Sequence, residues 1–263
     1  MLKLKEQGRP EADPYTRELI SLVMVETLLL STVRVRTFSG QAELTNASGF
    51  FFKHASRLFL VSSRHVFHDE LSNHIPDYIT IDVHVDANDL AQYVTYSIPL
   101  YSGGTSVWRD AADLSGEIDV AVIEIGLDTF PSNAVYAAFS AENLCGSLED
   151  VNIGSPMLIV GYPLGFHDTL HQLPVARHAI NASPLSFRFQ GMGYFLTDAR
   201  THRGTSGACV VMKSREPEAE IPWTLLGIHS ARLDVGTRDL ELDEALGLNC
   251  AWFADVLVPL TRD

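Results

Sequence analysis

Short apolar runs, separated by turn residues, dominate this chain. Ile79, Ile81, Val83 and Val85 alternate with Thr80, Asp82, His84 and Asp86. A period of two places one set on a buried face and the other on a wet one, so this segment predicts a strand. Similar runs predict strands over residues 28–38, 49–53, 58–62, 93–100, 120–125, 157–161, 175–182, 194–197, 208–212, 224–232 and 246–252. Many short strands with turns between them point to an all-β chain of barrels or a sandwich. Residues 126–152 carry few strand signals and contain Pro131, Ser132, Asn133 and Gly146. They predict a connection between two halves, with a first β unit over 28–135, a linker over 136–152 and a second unit over 153–263. The stretch 102–118 reads as a long loop, and a short amphipathic helix is expected over about 15–27 within an N-terminal extension, 1–27.

Composition narrows the function classes. The 263-residue chain has a net charge of −14, which excludes nucleic acid or an anionic membrane as a partner held by net attraction. Three cysteines, Cys145, Cys209 and Cys250, supply no disulfide framework and point to a reducing compartment. Lys3 and Lys5 precede the apolar stretch 19–30, but Arg17, Glu18 and Glu26 interrupt it and no small-x-small cleavage site follows. Neither a signal peptide nor a membrane span is expected, so the expected location is the cytoplasm. No phosphate-binding glycine loop or dinucleotide signature occurs. His167 and His171 have the spacing of a helical metal pair but lie in a predicted loop without a third ligand, so no metal or other cofactor is expected. The acidic run 239–244 reads as a solvated loop.

The chemistry lies in three short motifs. His65 follows the apolar run 58–62, Asp119 opens Asp119-Val120-Ala121-Val122-Ile123, and Ser206 lies in Arg203-Gly204-Thr205-Ser206-Gly207-Ala208. A serine hydroxyl is a poor nucleophile until a base takes its proton. That base needs an acid to fix its tautomer and stabilise its cation. Each motif alone describes an ordinary turn or strand, but together they supply nucleophile, base and orienting acid.

With these motifs the chain resembles trypsin-like serine proteases of the chymotrypsin fold, in which the order His, Asp, Ser recurs. The resemblance runs from about residue 28 to about 255. It rests on Ser48-Gly49-Phe50-Phe51, Ser63-Arg64-His65-Val66, Asp119-Val120-Ala121-Val122, Gly161-Tyr162-Pro163-Leu164-Gly165, Thr197-Asp198-Ala199, Gly204-Thr205-Ser206-Gly207 and Gly227-Ile228-His229-Ser230. The Gly161 and Thr197 segments are similar to bacterial high-temperature-requirement proteases. The resemblance implies two six-stranded antiparallel barrels with the triad between them, and a short C-terminal helix. It makes His65 the general base, Asp119 its orienter and Ser206 the nucleophile, with the N–H groups of Gly204 and Ser206 as the oxyanion hole. Thr205 stands where digestive relatives carry an Asp that pairs with a new N-terminus, so activation by cleavage is not expected. Thr205 and the loop 102–118 together suggest control by loop ordering, or by an activating or inhibitory protein partner.

The same resemblance assigns specificity. Trypsin carries an Asp six residues before its nucleophile, where this chain has Arg200, which would repel a cationic side chain. Glutamyl endopeptidases show a similar Gly-Ile-His, here ending at His229, and a Thr where this chain has Thr201. Imidazole and hydroxyl together suit a P1 Glu, or Gln, because the wrong side chain leaves buried polar groups unpaired. Ser230, Ala231 and Arg232 would pair with substrate backbone as an added strand. The reading is therefore a serine endopeptidase acting on protein or peptide substrates through an acyl-enzyme. Two alternatives stand beside it: a catalytically silent binding module of the same fold, and an esterase. The second lacks the Gly-x-Ser-x-Gly and the Ser, Asp, His order of its usual scaffold.

Overall fold

The computed structural model describes residues 25–148, 151–214, 219–233 and 247–262. Most of the helix expected over about 15–27 and the acidic run 239–244 lie outside the described residues. The strand expected from residue 28 begins later, because α1 (Thr27–Leu30) forms a single helical turn first. Ser31 closes that turn, its N–H reaching Thr27 O at 3.1 Å and its Oγ donating to Leu28 O at 2.8 Å.

The first half comprises β1 (Thr32–Ser39), β2 (Ala42–His54), β3 (Arg57–Ser62), β4 (Tyr78–His84), β5 (Tyr93–Pro99), the small ribbon β6 (Tyr101–Ser102) and β7 (Thr105–Ser106), then β8 (Trp108–Asp113) and β9 (Gly116–Ile125). Seven of these form one antiparallel sheet in the order β5-β4-β1-β2-β3-β9-β8. The expected loop over 102–118 is thus mostly strand, and it supplies the seventh member of a sheet expected to have six. β8 escapes the period-two pattern because its Trp-Arg-Asp-Ala-Ala-Asp sequence buries no side chain fully. Its place is fixed by pairing with β9, Trp108 opposite Ile123 and Asp113 opposite Gly116.

The second half comprises β10 (Pro156–Gly161), β11 (Val175–Asn181), β12 (Tyr194–Asp198), β13 (Cys209–Lys213), β14 (Trp223–Arg232) and β15 (Leu248–Phe253). They close into a barrel, β10-β11-β12-β15-β14-β13, which removes both sheet edges. After it comes the short helix α3 (Leu257–Leu260).

Burial falls into three clusters, and these explain why the central strands read as continuous apolar runs. Val35, Phe51, Leu60, Ile81 and Ile123 fill the first half, and Met157, Ile159, Phe195, Val210 and Ala251 fill the barrel. Phe50, Phe52, Phe59, Val61, Val120 and Val122 meet Val160, Cys209, Val211 and Ile228 in a third cluster between the two. Strands β2, β3 and β9 therefore bury both faces, one inward and one against the barrel. The end of the chain is fastened across the same junction: Arg57 Nη2 donates to Thr261 O at 2.6 Å, and His54 Nδ1 lies 2.7 Å from Thr261 Oγ1.

Candidate active site

β3 delivers His65. Its apolar run ends at Ser62, and the single helical turn α2 (Arg64–Phe67) follows, anchored by buried Val66 and Phe67. His65 sits in the first turn and stays 37% exposed at its side chain, so it remains open to a substrate. Arg64 beside it is held outward by Asp110 at 2.9 Å and Glu117 at 3.2 Å.

β9 delivers Asp119. The β8–β9 pairing steps from Asp110 opposite Ala121 to Ala111 opposite Ile118, so Asp119 and Val120 form a bulge. A bulge re-aims side chains, and here Asp119 grips His65 twice. Oδ1 accepts the His65 backbone N–H at 2.9 Å, and Oδ2 lies 2.7 Å from Nδ1. Beside an ionised carboxylate Nδ1 carries the proton, which leaves Nε2 with a lone pair. Burial of His65 opposes its cation, but the hydrogen bond and charge of Asp119, with the charge of Asp69, outweigh this and raise the imidazole pKa above its usual value. Ser230 Oγ also donates to Asp119 Oδ2, which makes Ser230 a member of this network as well as of the predicted substrate strand.

The turn before β13 carries Ser206. Its hydroxyl donates to Ser230 O at 3.1 Å, so attack requires a rotation about χ1 that turns it to His65 Nε2. Catalytic hydrogen bonds are commonly looser before substrate arrives. The turn needs glycine at two places. Gly207, at φ +83°, would place a Cβ 2.2 Å from Ser48 O, and Gly204, at φ +89°, would place one 2.5 Å from Tyr162 O. Among the described residues neither Gly204 N–H nor Ser206 N–H donates to a protein acceptor. The carbonyl of Arg203 instead accepts from Leu164 N at 2.6 Å. In a trans peptide the following N–H, that of Gly204, points the opposite way, which leaves it free for an oxyanion.

The structure also locates the six residues expected to bind substrate. β13 begins with Cys209 opposite Ile228, so β14 has no partner on that side after His229. Ser230, Ala231 and Arg232 thus present an open edge beside Ser206. Arg200 is exposed, whereas Thr201 and His229 are 4% and 2% exposed. The hydroxyl of Thr201 is donated to Asn249 Oδ1. Asn249 is fully buried and its Nδ2 donates to Ala199 O at 2.8 Å and Gly247 O at 2.9 Å. Sequence reading passed over Asn249, yet its signal was there: an amide inside the apolar run Leu248–Phe253 needs partners when buried. His167 and His171 make local loop contacts, with His171 Nδ1 2.7 Å from Asp168 Oδ2. No group of three metal-ligating side chains occurs among the described residues.

Comparison with known proteins agrees with this arrangement. The "trypsin-like peptidase domain" family matches residues 47–216, well over half of the chain. No curated protein matches the sequence. Among solved structures, an HtrA-type protease AlgW with a tripeptide is 15% identical, with a TM-score of 0.51, over 88% of this chain and 58% of that one. A serine endoprotease from Yersinia pestis is 15% identical, with a TM-score of 0.52, over 97% of this chain and 69% of that one. The chain thus spans less than two thirds of AlgW, and at such identity the likeness concerns the fold. By its match and its architecture, the chain belongs to the trypsin-like peptidase domain family and is a serine endopeptidase domain of the chymotrypsin fold.

Proposed function

We propose that this protein hydrolyses peptide bonds in protein or peptide substrates through an acyl-enzyme on Ser206. The observation that carries the reading is the two-point grip of Asp119 on His65, which fixes the imidazole with Nε2 free as a base. His65 takes the Ser206 proton as Oγ attacks the scissile carbonyl, and the N–H groups of Gly204 and Ser206 receive the developing oxyanion. The protonated imidazole then gives its proton to the leaving amine, and water repeats the cycle on the ester. The open edge of β14 holds the substrate as an extended strand.

For specificity we propose P1 Glu or Gln, read by Thr201 and His229. Because the Thr201 hydroxyl is donated to Asn249, its remaining capacity is as an acceptor, which favours the amide of Gln over a carboxylate. Arg200 argues against basic P1 residues. The strand content of 102–118 removes one reason to expect control by loop ordering, so a regulatory partner rests on Thr205 alone. We place the protein in a reducing, cytoplasmic setting because Cys145, Cys209 and Cys250 are all free thiols and burial pushes Cys209 up to about 11. Among the described residues no helix is long and apolar enough to cross a membrane. A peptide library cleaved by the parent but not by Ser206→Ala, with Gln or Glu enriched at P1, is the expected result. Cleavage after Lys or Arg would reject the specificity, and no cleavage at all would favour the silent binding module.

A further inference from the structure

The oxyanion turn is held from the other half of the molecule by a residue that touches no substrate. Ser48, in the middle of β2, is fully buried and lies 156 residues before Gly204. Its Oγ donates to Gly204 O at 2.8 Å and accepts from Tyr162 N at 2.9 Å. Its own N–H donates to Ser206 O at 2.9 Å, and its carbonyl accepts from Ser62 Oγ at 2.8 Å. The space is fitted to this hydroxyl: a Cβ on Gly161 would stand 2.4 Å from Ser48 Oγ.

The four consecutive peptide planes from Arg203 to Gly207 are each pinned through their carbonyls. Leu164 N holds the first at 2.6 Å and Ala208 N the third at 2.9 Å, while Ser48 holds the second with its hydroxyl and the fourth with its N–H. Turning the Gly204 N–H out of the cleft requires rotation about the bonds of Gly204, which as glycine resists weakly. The hydroxyl of Ser48 fixes the plane on the far side of Gly204. Through Tyr162 N it also steadies the segment whose Leu164 fixes the near side. We propose that Ser48 is a positioning residue that keeps the oxyanion hole formed, so that the nucleophile turn is set by the first half of the molecule as well as by its own barrel. The inference rests on the reading of Ser206 as nucleophile.

The test compares full-length parent and Ser48→Ala in two assays. One is inhibition by a tripeptide aldehyde, which places an oxyanion in the hole after addition of Ser206, against the alcohol of the same sequence, which does not. The other is kcat and KM on a peptide amide. Losing an oxyanion donor outright costs about 10²–10³ in rate, so an indirect loosening should lower kcat and aldehyde affinity about 10- to 100-fold. KM and alcohol affinity should be unchanged. Equal losses for aldehyde and alcohol, or none for either, would overturn the proposal. If Ser48→Ala fails to fold, Ser48→Cys, which keeps shape but donates weakly, is expected to show the same split. A parent that neither hydrolyses peptides nor labels at Ser206 removes the proposed function and this inference together. An active parent with an equally active variant removes only the inference.

Discussion

At the scale of residues, Asp119 does more than neutralise a cation. It fixes both the backbone and the ring of His65. Asp119→Asn keeps the shape but offers an amide, and kcat should fall about 10⁴-fold, the loss seen when the orienting acid of such a triad is neutralised. The pH dependence has a defined sign. Only the neutral imidazole is a base, and Asp119 and Asp69 raise its pKa despite the opposing effect of burial. Activity should therefore fall as pH drops through a value above the usual ~6.5 of histidine, and Asp119→Asn should move that limb to lower pH. A kcat/KM profile of both proteins checks this. Gly207 is the residue least open to change. Alanine there must adopt φ +83° with its Cβ 2.2 Å from Ser48 O, so Gly207→Ala should cost about 2–4 kcal/mol in a urea melt.

At the scale of elements, the strands that carry the triad were legible because they bury both faces: Phe50, Phe52, Phe59 and Val61 read as apolar without needing their partners. β8 was illegible for the opposite reason, since its side chains are half-buried or exposed and pairing alone defines it. The three catalytic residues could be picked from local motifs, whereas the hydrogen bonds of Ser48 to Gly204 and of Ser230 to Asp119 join residues over a hundred positions apart. No local pattern encodes such contacts. β14 yields its own prediction. Ser230 O faces Ser206, so by the period of a strand the N–H and C=O of Arg232 face the same open edge. Arg232→Pro removes that donor. KM for an extended peptide should rise about tenfold, the worth of a backbone hydrogen bond at its upper range, while a short ester should be cleaved as before. Equal effects on both substrates would place the substrate elsewhere.

At the scale of the whole molecule, catalysis depends on two β units meeting in one orientation. His65 and Asp119 belong to the first and Ser206 to the second, and the cluster of Phe50, Phe52, Val122, Cys209 and Val211 sets their relation. Phe52→Ala should cost about 3–5 kcal/mol and lower activity in the fraction that stays folded. The three cysteines are unpaired, so a reducing agent should leave the melting temperature unchanged, as a scan with and without dithiothreitol would show. The central claim is that one serine, Ser206, is activated by His65 and Asp119. Its most direct test is the intact mass of the full chain after reaction with a fluorophosphonate, beside Ser206→Ala. One adduct on the parent and none on the variant is the predicted result. An unlabelled parent, or a variant labelled as readily, would contradict it.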